Sequence, residues 1–218
     1  MNMRFRLFFI ALGALLVAAT FTFPSWQHFV NRAKTQDTHA ALDGLAPALQ
    51  PTFQALPADQ QNAYRAQANE NAQIGLAMIE GALAPPRQVP SDQQALPSMT
   101  GPVQVGTAKF VRLDPIRWAQ GDVTIYQQAD NSKVVRFENF GVVNGPDLRV
   151  VLSQSDQPNT VDAMKANDSE IDLGELKGTI GNQNYDVPAE LDLTQYKAVV
   201  IYSRSLNVVY SYASLTKF

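Results

Sequence analysis

The order of apolar and polar positions changes character twice along the chain. Residues 7–23, LFFIALGALLVAATFTF, form an uncharged apolar run behind Arg4 and Arg6. As a helix rising roughly 1.5 Å per residue it reaches about 26 Å, slightly short of a ~30 Å hydrocarbon layer. Phe5 and Trp26 flank it and suit the membrane interface. Between Asp59 and Leu83 the apolar positions recur at helical spacing: Tyr64, Ala68, Ala72, Gly75, Ile79 and Leu83 draw one stripe. Beyond residue 103 the period falls to two, and strands are predicted over 107–111, 118–127, 133–138, 147–153, 178–187, 196–203 and 206–213. In the fourth, Leu148, Val150 and Leu152 share one face, with Arg149, Val151 and Ser153 on the other.

Short strands parted by polar turns, without intervening helices, predict a mainly β fold: an antiparallel β-sandwich or barrel-like domain. An N-terminal membrane helix and a small helical segment precede it. The stretch Arg136–Leu152 organises that domain around the turn NGPDL. Gly145 is expected to supply positive φ, Pro146 to fix φ, and Asp147 to hydrogen-bond nearby backbone while opening the next strand. Gly174, Gly178 and Gly181 are read as further turn glycines.

Four regions follow. Residues 1–30 are an uncleaved membrane anchor, or a signal peptide removed near Val17–Ala19, or a buried helix of a soluble protein. Either of the first two readings places the rest of the chain outside the cytoplasm, periplasmic or secreted if the segment is cleaved. Residues 31–84 are helical and membrane-proximal. Residues 85–102 carry five prolines, which no helix can run through, and read as a linker. Residues 103–218 are the β-domain.

Composition narrows the chemistry. The net charge is −3 and the basic residues are scattered, so no positive field awaits nucleic acid. The absence of cysteine rules out disulfides, thiolate metal sites and cysteine nucleophiles. His28 and His39 are too far apart in sequence for a compact zinc motif, and Asp162, Asp168, Glu170 and Asp172 lack the spacing of a calcium loop, so they read as a solvated acidic segment. Trp118, Tyr126, Tyr202, Tyr210 and Tyr212 could wall a flavin or carry electrons, but no phosphate-binding glycine loop accompanies them, and aromatics are ordinary fillers of sandwich cores.

The pieces GDVTI (121–125), FENF (137–140), NGPDL (144–148), VVL (150–152), DLGELKG (172–178), GNQNYDVP (181–188) and the final hairpin resemble, in order and spacing, the DM-thirteen domain. The resemblance covers about residues 105–216 and implies an extracytoplasmic β-domain of the kind found beside DOMON domains. It also implies a redox module, because the family pattern carries a cysteine before the final hairpin turn. Here that position is Ser203, and the aromatic residue expected three positions later is Leu206. A serine has no thiolate, disulfide or sulfenic state, so it cannot inherit that chemistry. As a hydrolytic nucleophile Ser203 lacks a GxSxG elbow, and Lys197 is the only base suggested nearby.

The residues therefore favour a membrane-tethered, extracytoplasmic interaction or small-ligand-binding module without catalytic residues, metal ligands or a cofactor. Its expected partners are membrane lipid, through the N-terminal helix, and an envelope or membrane protein. The alternatives are an accessory redox protein that binds an unidentified group, and a structural component of the cell envelope.

Overall fold

The turn NGPDL sits where two sheets and a pair of helices converge. The computed structural model describes residues 42, 44–166 and 168–217. The expected anchor and both histidines lie outside these residues. Among the described residues no helix is long and apolar enough to cross a membrane.

A short helix α1 (Gln50–Gln54) precedes α2 (Ala58–Glu70) and α3 (Ala72–Leu83). The continuous pattern of Asp59–Leu83 is thus cut into a helical hairpin at Asn71, which adopts φ −150° and caps α3 by accepting from the Ile74 amide at 3.1 Å. The small residues of the stripe serve this crossing, since a Cβ on Gly75 would overlap the Ala68 backbone. Phe53 of α1 packs on Tyr64, with ring centroids 6.4 Å apart.

The β-domain is an antiparallel two-sheet structure, as the alternation predicts. One sheet contains β1 (Val103–Lys109), β2 (Ala119–Gln127), β3 (Lys133–Val142), β6 (Gln183–Val187) and β9 (Thr216–Lys217) in the order β6-β3-β2-β1-β9. The other contains β4 (Leu148–Ser153), β5 (Ile171–Glu175), β7 (Ala198–Ser203) and β8 (Val208–Ser214) in the order β5-β4-β7-β8. Beyond β1 the chain turns toward the second sheet, where the Val111 amide donates to the Tyr212 carbonyl at 3.0 Å. All these elements lie within one unit, Leu45–Phe218.

Register shows why β4 and β7 are so apolar. Leu148, Val150 and Leu152 lie opposite Ser203, Ile201 and Val199 and share one buried face with them. The other face is covered as well: a short helix α4 (Val161–Met164) brings Val161 and Met164 onto Val151, Val200, Tyr202 and Val209. Strands buried on both faces read as continuous apolar runs, as VVIY does. Fully burying each such Val or Ile contributes roughly 1.5–3 kcal/mol.

Two sequence expectations change. The acidic segment is not wholly a solvated loop: its end forms β5, an edge strand in which Asp172 pairs with Arg149 of β4 at 2.8 Å. With only Ile171 and Leu173 as apolar residues, β5 is held by pairing and charge more than by burial. The strand expected from residue 178 begins at Gln183, because Thr179 and Ile180 are engaged by the proline-rich segment. There Thr179 N–H donates to the Arg87 carbonyl at 2.7 Å, Val89 N–H donates to the Ile180 carbonyl at 3.0 Å, and Val89 is buried. Residues 87–89 are therefore seated on the β-domain. Gly178 lies beneath them, and a Cβ there would come 2.8 Å from the Arg87 carbonyl oxygen.

Candidate functional site

The hairpin β7–β8 carries Ser203 at the last position of β7, on the face shared with Leu148. Its side chain is fully buried. The hydroxyl donates to the Pro146 carbonyl at 2.6 Å and accepts from the Leu206 amide at 3.3 Å. Next to it the Arg204 amide donates to the Asp147 carbonyl at 3.1 Å, and the Arg204 guanidinium pairs with the Asp147 carboxylate at 2.9 Å. The two turns, NGPDL and SRSLN, are thus laced together through Ser203. Lys197, the suggested base, stands at the opposite end of β7, about 20 Å away along an extended strand. Among the described residues the hydroxyl meets the Pro146 carbonyl, the Leu206 amide and the Ser205 hydroxyl, and no base.

The turn residues act differently from their expected roles. The left-handed residue is Asp147, at φ 45°, and Gly145 does not take positive φ. Gly145 is required by proximity: a Cβ there would lie 2.5 Å from the Tyr210 hydroxyl and 2.7 Å from its Cζ. A bulge aims Tyr210 this way. Ile201 faces Ser211 and Tyr202 faces Val209, so Tyr210 is the extra residue of β8 and the alternation along Leu206–Ser211 breaks there. Among the described residues its buried hydroxyl has no hydrogen-bond partner, and burial raises its pKa far above the ordinary tyrosine value. On the other side Gly81 of α3 is pressed against the same turn; a Cβ there would be 2.8 Å from the Gly145 Cα. Gly174 and Gly181 do take positive φ, at 122° and 111°, and Gly174 sits in the β4–β5 bulge.

Beside this junction a cleft of about 240 Å³ opens between the helical hairpin and the β-domain. Tyr64 and Gln60 of α2 and Ala82 of α3 form one wall; Trp118, Val143 and Asn144 form the other. Trp118, Tyr126, Tyr202, Tyr210 and Tyr212, candidates for a flavin wall that the sequence reads more readily as core fillers, are not gathered in one place. Tyr202 and Tyr212 belong to the outer cluster over α4, Tyr210 is committed to Gly145, and Trp118 alone faces the cleft. Sequence reasoning missed Tyr64 as Trp118's counterpart, because the two come from different regions of the chain and only the docking of α2 joins them. Among the described residues no three His, Asp or Glu side chains gather as a metal site. Asp172 is paired with Arg149, and Glu170 lies 4.0 Å from Lys165.

These features define an antiparallel β-domain with a laced turn, a sealed serine and a small uncharged cleft at its helical border. Residues 109–215 match the family described as electron transfer DM13. Comparison with curated proteins and with solved structures found no match. The cysteine position implied by the resemblance is filled by a hydroxyl whose only proton is given to Pro146, so a thiolate-borne redox group does not fit there.

Proposed function

We propose that this protein is a membrane-tethered, extracytoplasmic binding module that holds a small molecule or a protein partner and does not itself react with it. The observation that carries the reading is the hydrogen-bonded, buried Ser203 at the family's redox position, which supplies packing where a thiol would supply chemistry. The family description sets the context: a DM13 domain without its thiol suits an accessory role beside electron-transfer partners. The apolar run at residues 7–23 supports the tether.

A second reading, a redox protein holding an unidentified group elsewhere on the domain, is favoured by the family description itself. Native mass spectrometry of the intact chain, gently extracted from its membrane and followed by a visible absorption spectrum, separates the two. The binding-module reading expects an uncleaved N-terminus and any retained mass to be a protein or a small molecule other than a flavin, haem or redox metal. A stoichiometric flavin, haem or redox metal would establish the second reading in its place.

A further inference from the structure

We infer that the cleft between Tyr64 and Trp118 is a binding site for a neutral, planar, carbonyl-bearing ring of about naphthoquinone size. This rests on the binding-module reading and gives it a ligand class.

The cleft's volume, about 240 Å³, falls below the ~300 Å³ floor of drug-sized sites and suits one or two fused rings. Its walls supply apolar contact from the Trp118 ring, Pro86, Pro115 and Val143, with the nearly buried Tyr64 beside them. No lining residue is charged. The arginines of the adjoining loop are already engaged, Arg117 with the Asp114 carboxylate at 2.6 Å and Arg112 over the Trp118 ring at 5.1 Å. Since no charged side chain among the described residues lines the cleft itself, an anionic ligand would lose its hydration there without a direct ion pair. Polar capacity remains for a neutral one. Neither Gln60 nor the Tyr64 hydroxyl has a hydrogen-bond partner among the described residues, while the Asn144 amide is directed at the Pro85 carbonyl at 3.4 Å. A ring carbonyl seated against α2 accepts from the phenol or the amide and leaves the ring between aromatic and aliphatic surfaces. The site is composite: its β-side belongs to the family domain and its helical side does not, so the hairpin gives this chain a specificity the domain alone lacks.

The test uses the intact chain with Trp26→Phe, which leaves Trp118 as the sole tryptophan emitter. The probes are 1,4-naphthoquinone and its 2-sulfonate, compared by fluorescence quenching; with no cysteine present, the quinone has no thiol to alkylate. Saturable quenching by the neutral probe is expected, with the sulfonate at least about tenfold weaker because its charge finds no partner. Tyr64→Phe should weaken the neutral probe about fivefold, the worth of one hydrogen bond. Ala82→Phe, which fills the cleft, should abolish saturation with the circular dichroism unchanged. Linear, non-saturating quenching, or equal affinity for both probes, overturns the assignment. If Ala82→Phe does not fold, the charged-versus-neutral comparison on the parent chain decides alone. Failure here together with a different small molecule retained in native mass spectrometry removes the ligand class and leaves the binding module standing; a retained flavin, haem or redox metal removes the module as well.

Discussion

The hydroxyl of Ser203 donates to the carbonyl of Pro146 at 2.6 Å, across 57 positions of sequence. The bond closes the end of the inner face between β4 and β7, where Leu148 lies directly opposite Ser203. Removing it strands a carbonyl and the Leu206 amide in a buried corner. Ser203→Ala should therefore destabilise the domain by about 1–3 kcal/mol, seen as a lower urea midpoint at unchanged slope. A midpoint equal to that of the parent would mean the two turns hold together without the serine.

Restoring the family's residue gives a sharper measurement. Ser203→Cys places a thiol where no solvent reaches, and burial raises a thiol's pKa and removes its reactivity. The variant should resist a thiol-specific reagent while folded and react once unfolded in denaturant. Rapid labelling of the folded variant would show that the position is open, and the case for a sealed site would fall with it.

Tyr210 and Gly145 form a pair in which only one partner tolerates change. Gly145→Ala brings a methyl to within 2.5 Å of the Tyr210 oxygen, and overpacking of this kind costs about 1–3 kcal/mol. Tyr210→Phe removes a buried hydroxyl that has no partner among the described residues, so it should be neutral or stabilise by up to about 1 kcal/mol. In Gly145→Ala it should recover part of the loss, the remainder being the contact with Cζ at 2.7 Å. A Tyr210→Phe variant less stable than the parent would reveal a bond to water at that hydroxyl.

The two-sheet architecture was legible because Leu148–Leu152 and Val199–Ile201 alternate or run apolar over strand lengths, and pattern of that kind is local. What the pattern missed depends on partners distant in sequence. Strand β5 escaped notice because its stability comes from Arg149 and Asp172 across the sheet more than from its own side chains. The reason for Gly145 was misplaced because a glycine needed for close approach and one needed for positive φ look alike in sequence; only the bulge that turns Tyr210 toward it separates them. The cleft was invisible for the same cause, its walls being Tyr64 and Trp118 from regions that period analysis treats separately.

Stability at the extremes of pH follows from two sets of groups. Burial lifts the phenols of Tyr64, Tyr185 and Tyr210 well above the ordinary value of 10.0, so in each the folded state holds its proton longer than the unfolded one. Their contribution is complete below pH 10.0 and is lost as pH rises through the folded values. Tyrosinate absorbance should accordingly rise in two stages, the second coinciding with loss of β-sheet circular dichroism. At the acid end Asp130 and Asp192 lie below the ordinary 3.8, held there first by the hydroxyls of Ser132 and Thr194. Their contribution is present above 3.8 and lost as pH falls through the folded values, so Asp130→Asn with Asp192→Asn should flatten that limb only.

The helical hairpin braces the turn through Gly81, and the brace can be released at a position away from the α2–α3 crossing. A methyl at residue 81 meets the Gly145 Cα at 2.8 Å, and since that atom is backbone it cannot rotate away. Gly81→Ala must therefore lift α3 from the turn or displace the turn toward Ser203. Either movement should raise amide exchange at Gly145, Asp147 and Leu148 and reduce stability by about 1–3 kcal/mol. Gly75→Ala is the control, since the atoms nearest its methyl all belong to Ala68 of α2. It should loosen the α2–α3 crossing and leave exchange at the turn as in the parent. Equal exchange at Gly145–Leu148 in both variants would mean that the hairpin rests against the β-domain without bracing the serine's partner, and the sealing of Ser203 would then be the work of the two turns alone.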